Sequence, residues 1–105
     1  MLELRPNCEL CDADLPPAAN NARICSYECT YCADCAEGVL HNVCPTCGGG
    51  LQFRPIRPQQ AYRAPDISLG LDFHPASETR KQSRWSRDDI AAMTARLKDV
   101  PPEER

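Results

Sequence analysis

Long apolar runs are missing from this sequence of 105 residues. No stretch of seven or more apolar residues occurs near Met1, and no basic cluster precedes one, so we expect neither a secretory signal nor a transmembrane segment. Ordinary apolar packing residues are also few, because the 42% hydrophobic share includes eight cysteines. An aliphatic core alone would therefore be thin. These shortages predict a small cytoplasmic protein in which cysteine does part of the work of a core.

Catalytic constellations are absent as well. The sequence has no Ser-His-Asp set and no phosphate-binding loop, and its two histidines, His41 and His74, stand apart. Neither histidine is expected to be a metal ligand, since the cysteines already suffice for two sites. We expect no catalytic residue in this chain.

The eight cysteines, by contrast, are concentrated between Cys8 and Cys47, and the other 65 residues contain none. They form four closely spaced pairs, and a short loop between two sulfurs lets both point at one ion about 2.3 Å away. All-sulfur coordination selects zinc or iron over hard cations. Eight ligands predict two tetrahedral Zn²⁺ sites built from Cys8, Cys11, Cys25, Cys29, Cys32, Cys35, Cys44 and Cys47.

Other uses of these cysteines, and two ways of pairing them, follow from the same spacing. Disulfides would need an oxidising compartment, which the missing export signal argues against. An iron-sulfur cluster is a further alternative, because residues 25–35 hold four cysteines at ferredoxin-like intervals. With zinc, consecutive pairs would give two successive ribbons. Alternating pairs would give one interlocked unit, in which each metal closes a loop that contains ligands of the other, so that neither site can open alone.

The cysteine pattern resembles that of RING fingers, with Cys29 at the position where most RINGs have histidine. Pro45, within the last cysteine pair, fits the same comparison. Residues 1 to about 58 resemble more closely still a small bacterial cysteine-rich family, domain of unknown function 1272, through the run at 25–35 and the later Arg-Pro-Ile-Arg-Pro. That family offers no activity to inherit.

The RING resemblance implies alternating zinc sites, with Cys8, Cys11, Cys32 and Cys35 at the first and Cys25, Cys29, Cys44 and Cys47 at the second. It also implies a shallow docking surface for a protein partner of the ubiquitin-conjugating type. That surface would comprise Leu10, Leu40, Val43 and Pro45. Two departures stand against a ligase-like role: no tryptophan lies between Cys35 and Cys44, and Gly48 replaces a frequent cation. The apolar members could equally form a minor core.

The second half of the chain has a different character. Two Arg-Pro steps at 54–58 predict an extended connector, and Ile67, Leu69, Leu71 and Phe73 alternate as in a short strand or an extended segment lying over the zinc module. Ser86 and Asp89 form a capping box, which predicts a helix over 86–99. Its apolar stripe of Ile90, Met93 and Leu97 would pack on the chain's own core or bind a partner.

Charge also divides the chain. Residues 1–52 carry two arginines and seven carboxylates, a net charge of −5, whereas residues 53–105 carry ten cations and eight carboxylates, a net charge of +2. The acidic half would repel a phosphate backbone. A nucleic-acid or transcription-associated function, the alternative to protein binding, would therefore use Arg54, Arg57, Arg63 and the cations of 80–87.

Together these features predict a small metal-dominated α+β protein. Residues 1–52 would form a RING-like cross-braced module with a short β-hairpin and one short helix, over about 33–40. Residues 53–84 would form an extended linker, and residues 85–105 an amphipathic helix and tail. The predicted function is a zinc-binding, RING-like protein-interaction module, with E3-ubiquitin-ligase-like recruitment as its sharpest form.

Overall fold

The structure, a computed structural model that describes residues 1–105, contains one small antiparallel sheet and two α-helices. The strands occur in the order β2-β1-β3 across the sheet. Neither helix has the length and apolar character needed to cross a bilayer. The elements are β1 (Ala22–Ile24), β2 (Thr30–Cys32), α1 (Ala33–Gly38), β3 (Gln52–Phe53), α2 (Arg87–Leu97) and a 3₁₀ turn (Pro102–Glu104).

The β1-β2 hairpin presents one cysteine pair at its tip and another at its end. Its register pairs Ile24 with Thr30, so the connecting loop carries Cys25 and Cys29. Strand β2 ends at Cys32, which is also the residue that precedes α1, and Cys35 lies in the first turn of that helix. The predicted hairpin and short helix are therefore confirmed. The third strand, β3, was not expected, because a two-residue strand has no alternating pattern to recognise.

Cysteine makes up much of the main buried cluster. Five of the cluster's twelve residues are cysteines, and the rest are scattered over the whole chain from Leu15 to Ile90. Residues other than cysteine therefore supply only seven members of the cluster, as the shortage of aliphatic residues predicts. The cysteine side chains are therefore an essential part of this core.

Residues 53–84 contain no helix, and β3 takes up only their first residue, so most of this segment runs without regular structure along the N-terminal half. The Arg54 side chain is only 1% exposed and donates hydrogen bonds to the carbonyl oxygens of Arg5, Leu15 and Pro16, at 2.8, 3.2 and 2.9 Å. Arg57 likewise donates to the carbonyl oxygen of Leu2, at 2.6 Å. The arginines of the Arg-Pro steps thus anchor the extended chain to the module.

The alternating residues at 67–73 do not form a strand. Turns occupy this region, and Ile67, Leu69 and Phe73 are each about half exposed. Gly70 adopts a φ of 119°, a conformation that interrupts an extended run. Alternation of apolar residues was therefore not sufficient to form a strand.

Helix α2 begins as the capping box predicts. The Asp89 amide donates to Ser86 Oγ at 3.1 Å, and the Ser86 amide donates to Asp89 Oδ2 at 3.3 Å. The helix runs over Arg87–Leu97, within the predicted 86–99. Trp85 and Ile90, on either side of the cap, both pack against the main buried cluster. This hydrophobic staple sets the angle at which the helix meets the module.

Candidate metal centre

Four cysteine sulfurs come together where the first cysteine loop meets the junction of β2 and α1. The loop is closed by a β-bridge between Asn7 and Asp14 and by a hydrogen bond from the Cys8 amide to the Ala13 carbonyl, at 2.8 Å. The closure directs its two sulfurs toward the hairpin. The first group, whose Sγ atoms all lie within 4.8 Å of one another, consists of Cys8, Cys11, Cys32 and Cys35.

The dimensions of this group suit a tetrathiolate zinc site. Four sulfurs at about 2.3 Å from a tetrahedral ion stand about 3.8 Å apart. The Sγ atoms of Cys11 and Cys32 are separated by 3.7 Å. The Cys11 amide also donates to Cys8 Sγ at 3.4 Å, the type of bond that stabilises a thiolate.

A second group lies where the hairpin tip faces the last cysteine pair. The Sγ atoms of Cys25, Cys44 and Cys47 lie within 4.8 Å of one another. Cys29 is not among these three mutually close sulfurs, but it lies on the other side of the hairpin tip, beside Cys25 and Cys44, and is the candidate for the fourth ligand. Backbone amides of Tyr27 and Gly49 each donate to a sulfur of this group, at 3.3 Å.

Each group can therefore hold one zinc ion, which gives two ions per chain. No histidine or carboxylate belongs to either group, so His41 and His74 lie outside both. The first group takes the first and third cysteine pairs of the sequence, and the second takes the second and fourth. Neither group is made of consecutive pairs.

The thiols of each group strongly affect one another's protonation. Hydrogen bonds with Cys25 and Cys29 raise the pKa of Cys44, whereas the hydrogen bond with Cys29 lowers the pKa of Cys25. In the first group, burial raises the pKa of Cys32 and of Cys35. Without a metal ion, only some of the four thiols can lose their protons at once, because neighbouring thiolates repel one another. A dication between the sulfurs removes that conflict, because it stabilises all four thiolates.

A buried ion pair links the two groups. Glu9, between the first two cysteines, receives a hydrogen bond from Arg5 Nη1 at 2.9 Å and one from the Thr30 amide at 2.6 Å. Thr30 directly follows Cys29 of the second group. The side chain of Glu9 therefore fixes the distance between a loop of one group and a strand of the other. No local pattern indicates this role, since Arg5 and Glu9 pair in a non-helical segment.

The predicted docking residues are mostly inaccessible. Leu40 and Val43 are 0% exposed, and Pro45 is also buried, so these three do not form a surface. Leu10 is half-buried and packs against the main buried cluster. The expectation of an exposed apolar patch is thus corrected: in so small a module the few aliphatic side chains are needed inside.

Helix α2 turns toward the module rather than away from it. Ile90 is buried in the same cluster as Leu40, and Thr94 Oγ1 donates to the Leu40 carbonyl at 3.3 Å. Met93 and Leu97 are only partly buried. The structure shows Ile90 and Thr94 packed on the chain's own core, whereas binding of a partner by the helix stripe stays a prediction.

Several cations of the basic half are already engaged. Arg54 is buried, and Arg57 donates to carbonyl oxygens within the chain. Arg80 forms ion pairs with Asp12 and Asp14, at 2.9 and 2.8 Å. Of the other cations assigned to nucleic-acid binding, Arg63, Arg84 and Arg87 are exposed, and Arg84 lies over the Trp85 ring. The largest part of the expected phosphate-binding set thus contacts the protein itself.

Comparisons with known proteins place the cysteine-bearing half in a shared family. A family model described as a protein of unknown function (DUF1272) matches residues 1–57. "Uncharacterized protein R02474" of Rhizobium meliloti (strain 1021) is 62% identical over 58 residues, which are 55% of this chain and 69% of that protein. No solved structure matches this chain. All eight cysteines lie within the matched region, and helix α2 lies outside it.

Proposed function

Since this chain belongs to the DUF1272 family of proteins of unknown function, we propose that the shared half is a RING-like, cross-braced two-zinc module that binds protein. The observation that supports the proposal is the alternation of cysteine pairs between the two groups. Each ion would close a loop that contains ligands of the other ion. Neither half of the module then opens without disturbing both sites.

Zinc bound by four cysteines is a structural ion, because no coordination position is left for water or substrate. The chain's own residues set the position of the ligands. Glu9 holds the first cysteine loop against the hairpin, and backbone amides donate to Cys8, Cys25 and Cys47. The module therefore offers a shaped surface, and binding is the function that such a surface can perform.

The metal part of the proposal is tested by counting ions and assigning their ligands. Native mass spectrometry of the full chain should show two zinc ions per molecule. After substitution with ¹¹³Cd, two NMR signals are expected, each correlated with the β-protons of four cysteines. One signal should connect to Cys8, Cys11, Cys32 and Cys35. Fewer than two ions, or correlations between consecutive pairs, would overturn the proposal.

The protein-binding part has a sharper version, recruitment of an enzyme of the ubiquitin-conjugating type. What supports it is the RING-like order of ligands together with Leu10, which lies between two ligands and is still partly exposed. Burial of Leu40 and Val43 limits the surface available for such docking. NMR titration of the zinc-loaded chain with a conjugating enzyme should perturb residues around Leu10. Leu10→Ala should weaken that perturbation and Leu69→Ala should leave it unchanged; no perturbation in the unsubstituted chain rejects recruitment.

A further inference from the structure

Each cysteine group has one ligand that is exposed to solvent. Cys11 is exposed in the first group, where Cys8, Cys32 and Cys35 are buried. Cys47 is exposed in the second group, where Cys25 and Cys44 are buried and Cys29 is half-buried. A competing ligand, such as a chelator or another thiol, reaches the exposed sulfur most easily. Loss of zinc should therefore begin at Cys11 in one site and at Cys47 in the other.

The residue that follows each exposed ligand has a left-handed backbone. Asp12 has a φ of 66° and Gly48 a φ of 79°. Glycine adopts this conformation freely, but for Asp12 it is less favourable than the right-handed region. Such turns bring the two cysteines of a loop toward one ion. They also need support from outside the loop, most of all at Asp12.

Residues 80–105, which we call the strap, supply that support to both loops. Arg80 Nη2 donates to the Asp12 carbonyl at 2.6 Å. Arg105 Nη1 donates to the Gly48 carbonyl at 3.1 Å. In both loops, an arginine of the strap therefore holds the left-handed residue directly after the exposed ligand.

The strap also contacts the other side of the second exposed ligand. Trp85 Nε1 donates to Thr46 Oγ1 at 3.0 Å, and Thr46 directly precedes Cys47. At the first loop, the Ser83 amide donates to the Glu9 carbonyl at 2.7 Å. Because these contacts fall on residues flanking the ligands and not on the sulfurs, they control the mobility of the loops without changing the ligand set.

We infer that the strap controls how fast both zinc ions exchange, by holding the residues next to the exposed ligand of each site. This inference rests on the proposed two-zinc function. Arg80, Arg105 and Trp85 are positioning residues: they act on Cys11 and Cys47 through the neighbouring backbone. By linkage, loss of a zinc ion loosens the strap, since the carbonyl groups that it binds are ordered only while their loop is closed.

The test is the rate at which the zinc-loaded full chain transfers metal to a chromophoric chelator, followed by absorbance. Arg80→Ala should speed release of one ion about three- to tenfold, and Arg105→Ala should do the same for the other. Arg87→Ala is the matched control, since this exposed arginine has no hydrogen-bond or ion-pair partner in the structure, and its rates should not change. In ¹¹³Cd-loaded protein, each substitution should accelerate loss of a different NMR signal.

The outcomes separate the inference from the function on which it rests. If the unsubstituted chain carries two ions but Arg80→Ala and Arg105→Ala release them at the Arg87→Ala rate, the strap has no role in exchange. Acceleration of the same signal by both variants would also reject the inference. If the unsubstituted chain holds fewer than two ions, the proposed function itself fails. Should Arg80→Ala fold poorly, Arg105→Ala still tests the inference; Trp85→Phe and Thr46→Val each remove the Trp85–Thr46 hydrogen bond beside Cys47, and each should accelerate release from the second site.

Discussion

Residues 1–52 and 53–105 are ordered in different ways. The first half contains all eight cysteines, and its loops are closed around two groups of sulfur atoms. The second half has a single α-helix and otherwise runs over the first half, held by side-chain donors that reach the first half's carbonyl groups. The comparison shows that the second half depends on the first half for its order. The acceptors used by the second half exist only where the first half has folded.

Charge reinforces this dependence. The net charges of −5 and +2 favour attraction between the halves, and ion pairs show where it acts. Arg80 pairs with Asp12 and Asp14, and Lys81 Nζ lies 3.5 Å from Glu3. Two tetrathiolate zinc sites would each add a charge of −2 to the first half. Two of the cations that suggested nucleic-acid binding, Arg80 and Lys81, therefore have an anionic partner within the molecule.

The largest effect should come from removing the metal. Treating the chain with a strong chelator should unfold both halves, because a structural zinc site contributes about 10 to 16 kcal/mol and the second half has no independent core. Loss of chemical-shift dispersion in ¹H–¹⁵N NMR spectra, including the amides of α2, is the measurement. Cys44→Ser should have the same effect, and Tyr62→Ala, at an exposed site, should have none. A native-like α2 in metal-free protein would show that the second half does not depend on the first half for its order.

Acidification should weaken metal binding in a steep manner. Zinc binds thiolates, and the pKa of Cys35 is raised by burial while that of Cys44 is raised by its neighbouring thiols. Raised pKa values mean that the metal-free groups still hold protons near neutral pH, and zinc must displace them. Lower pH favours the protonated, metal-free form, so apparent zinc affinity should fall about tenfold per pH unit for each proton displaced.

Competition with a chelator of known affinity at pH 8, 7 and 6 measures this dependence, and a weakly buffered solution should acidify when zinc is added. The order in which zinc and helix protection are lost on acidification also tests whether the second half depends on the first. Protection of the α2 amides should be lost together with zinc and not before it. A zinc affinity that is constant between pH 8 and pH 6 would contradict the displacement of thiol protons by zinc.

Replacing the most buried arginine should destabilise the second half's attachment without removing metal. Arg54→Met leaves three carbonyl groups without their donors, and we expect a loss of about 2 to 4 kcal/mol in the free energy of unfolding. Arg54→Lys should restore little of this stability, because a single ammonium group lacks the planar, forked donors with which the guanidinium reaches all three carbonyl oxygens. Urea denaturation of zinc-loaded protein measures the change.

Arg63→Met is the matched control for this substitution, since Arg63 is exposed, and its effect should stay within about 0.5 kcal/mol. Zinc content of the Arg54 variant should remain at two ions. If zinc were lost instead, attachment of residues 53–105 would be a requirement for metal binding and not only a control on the rate of metal exchange.

The smallest effect concerns the cap of α2. Ser86→Ala removes the acceptor of the Asp89 amide and should destabilise the helix by about 1 kcal/mol. Faster hydrogen exchange of the α2 amides should reveal it, with no change in the amides of β1 and β2. Ser86→Thr keeps the acceptor and should behave like the unsubstituted chain. Equal acceleration in the strands would show that the two halves are more tightly coupled than their contacts indicate.

The cysteine chemistry and the helix cap were readable from the sequence because both are local. Two sulfurs separated by two residues can reach one ion whatever surrounds them, and Ser86 and Asp89 cap the first turn of their own helix. The alternation at 67–73 failed as a guide to a strand because pairing needs a neighbouring edge, which no local pattern supplies. Likewise, the sequence does not show whether Leu40 and Val43 lie at the surface or in the core, because that depends on which segments pack over them.

What the sequence alone determined is therefore the set of eight ligands, the division of charge and the site where α2 begins. Tertiary structure decided which cysteine pairs meet, that Arg54 is buried and that α2 packs over Leu40. The physical reason is the range of the interactions. Ligand spacing and capping act over a few residues of chain, whereas a donor such as Arg80 finds the Asp12 carbonyl, 68 residues earlier, only after two separate loops have closed.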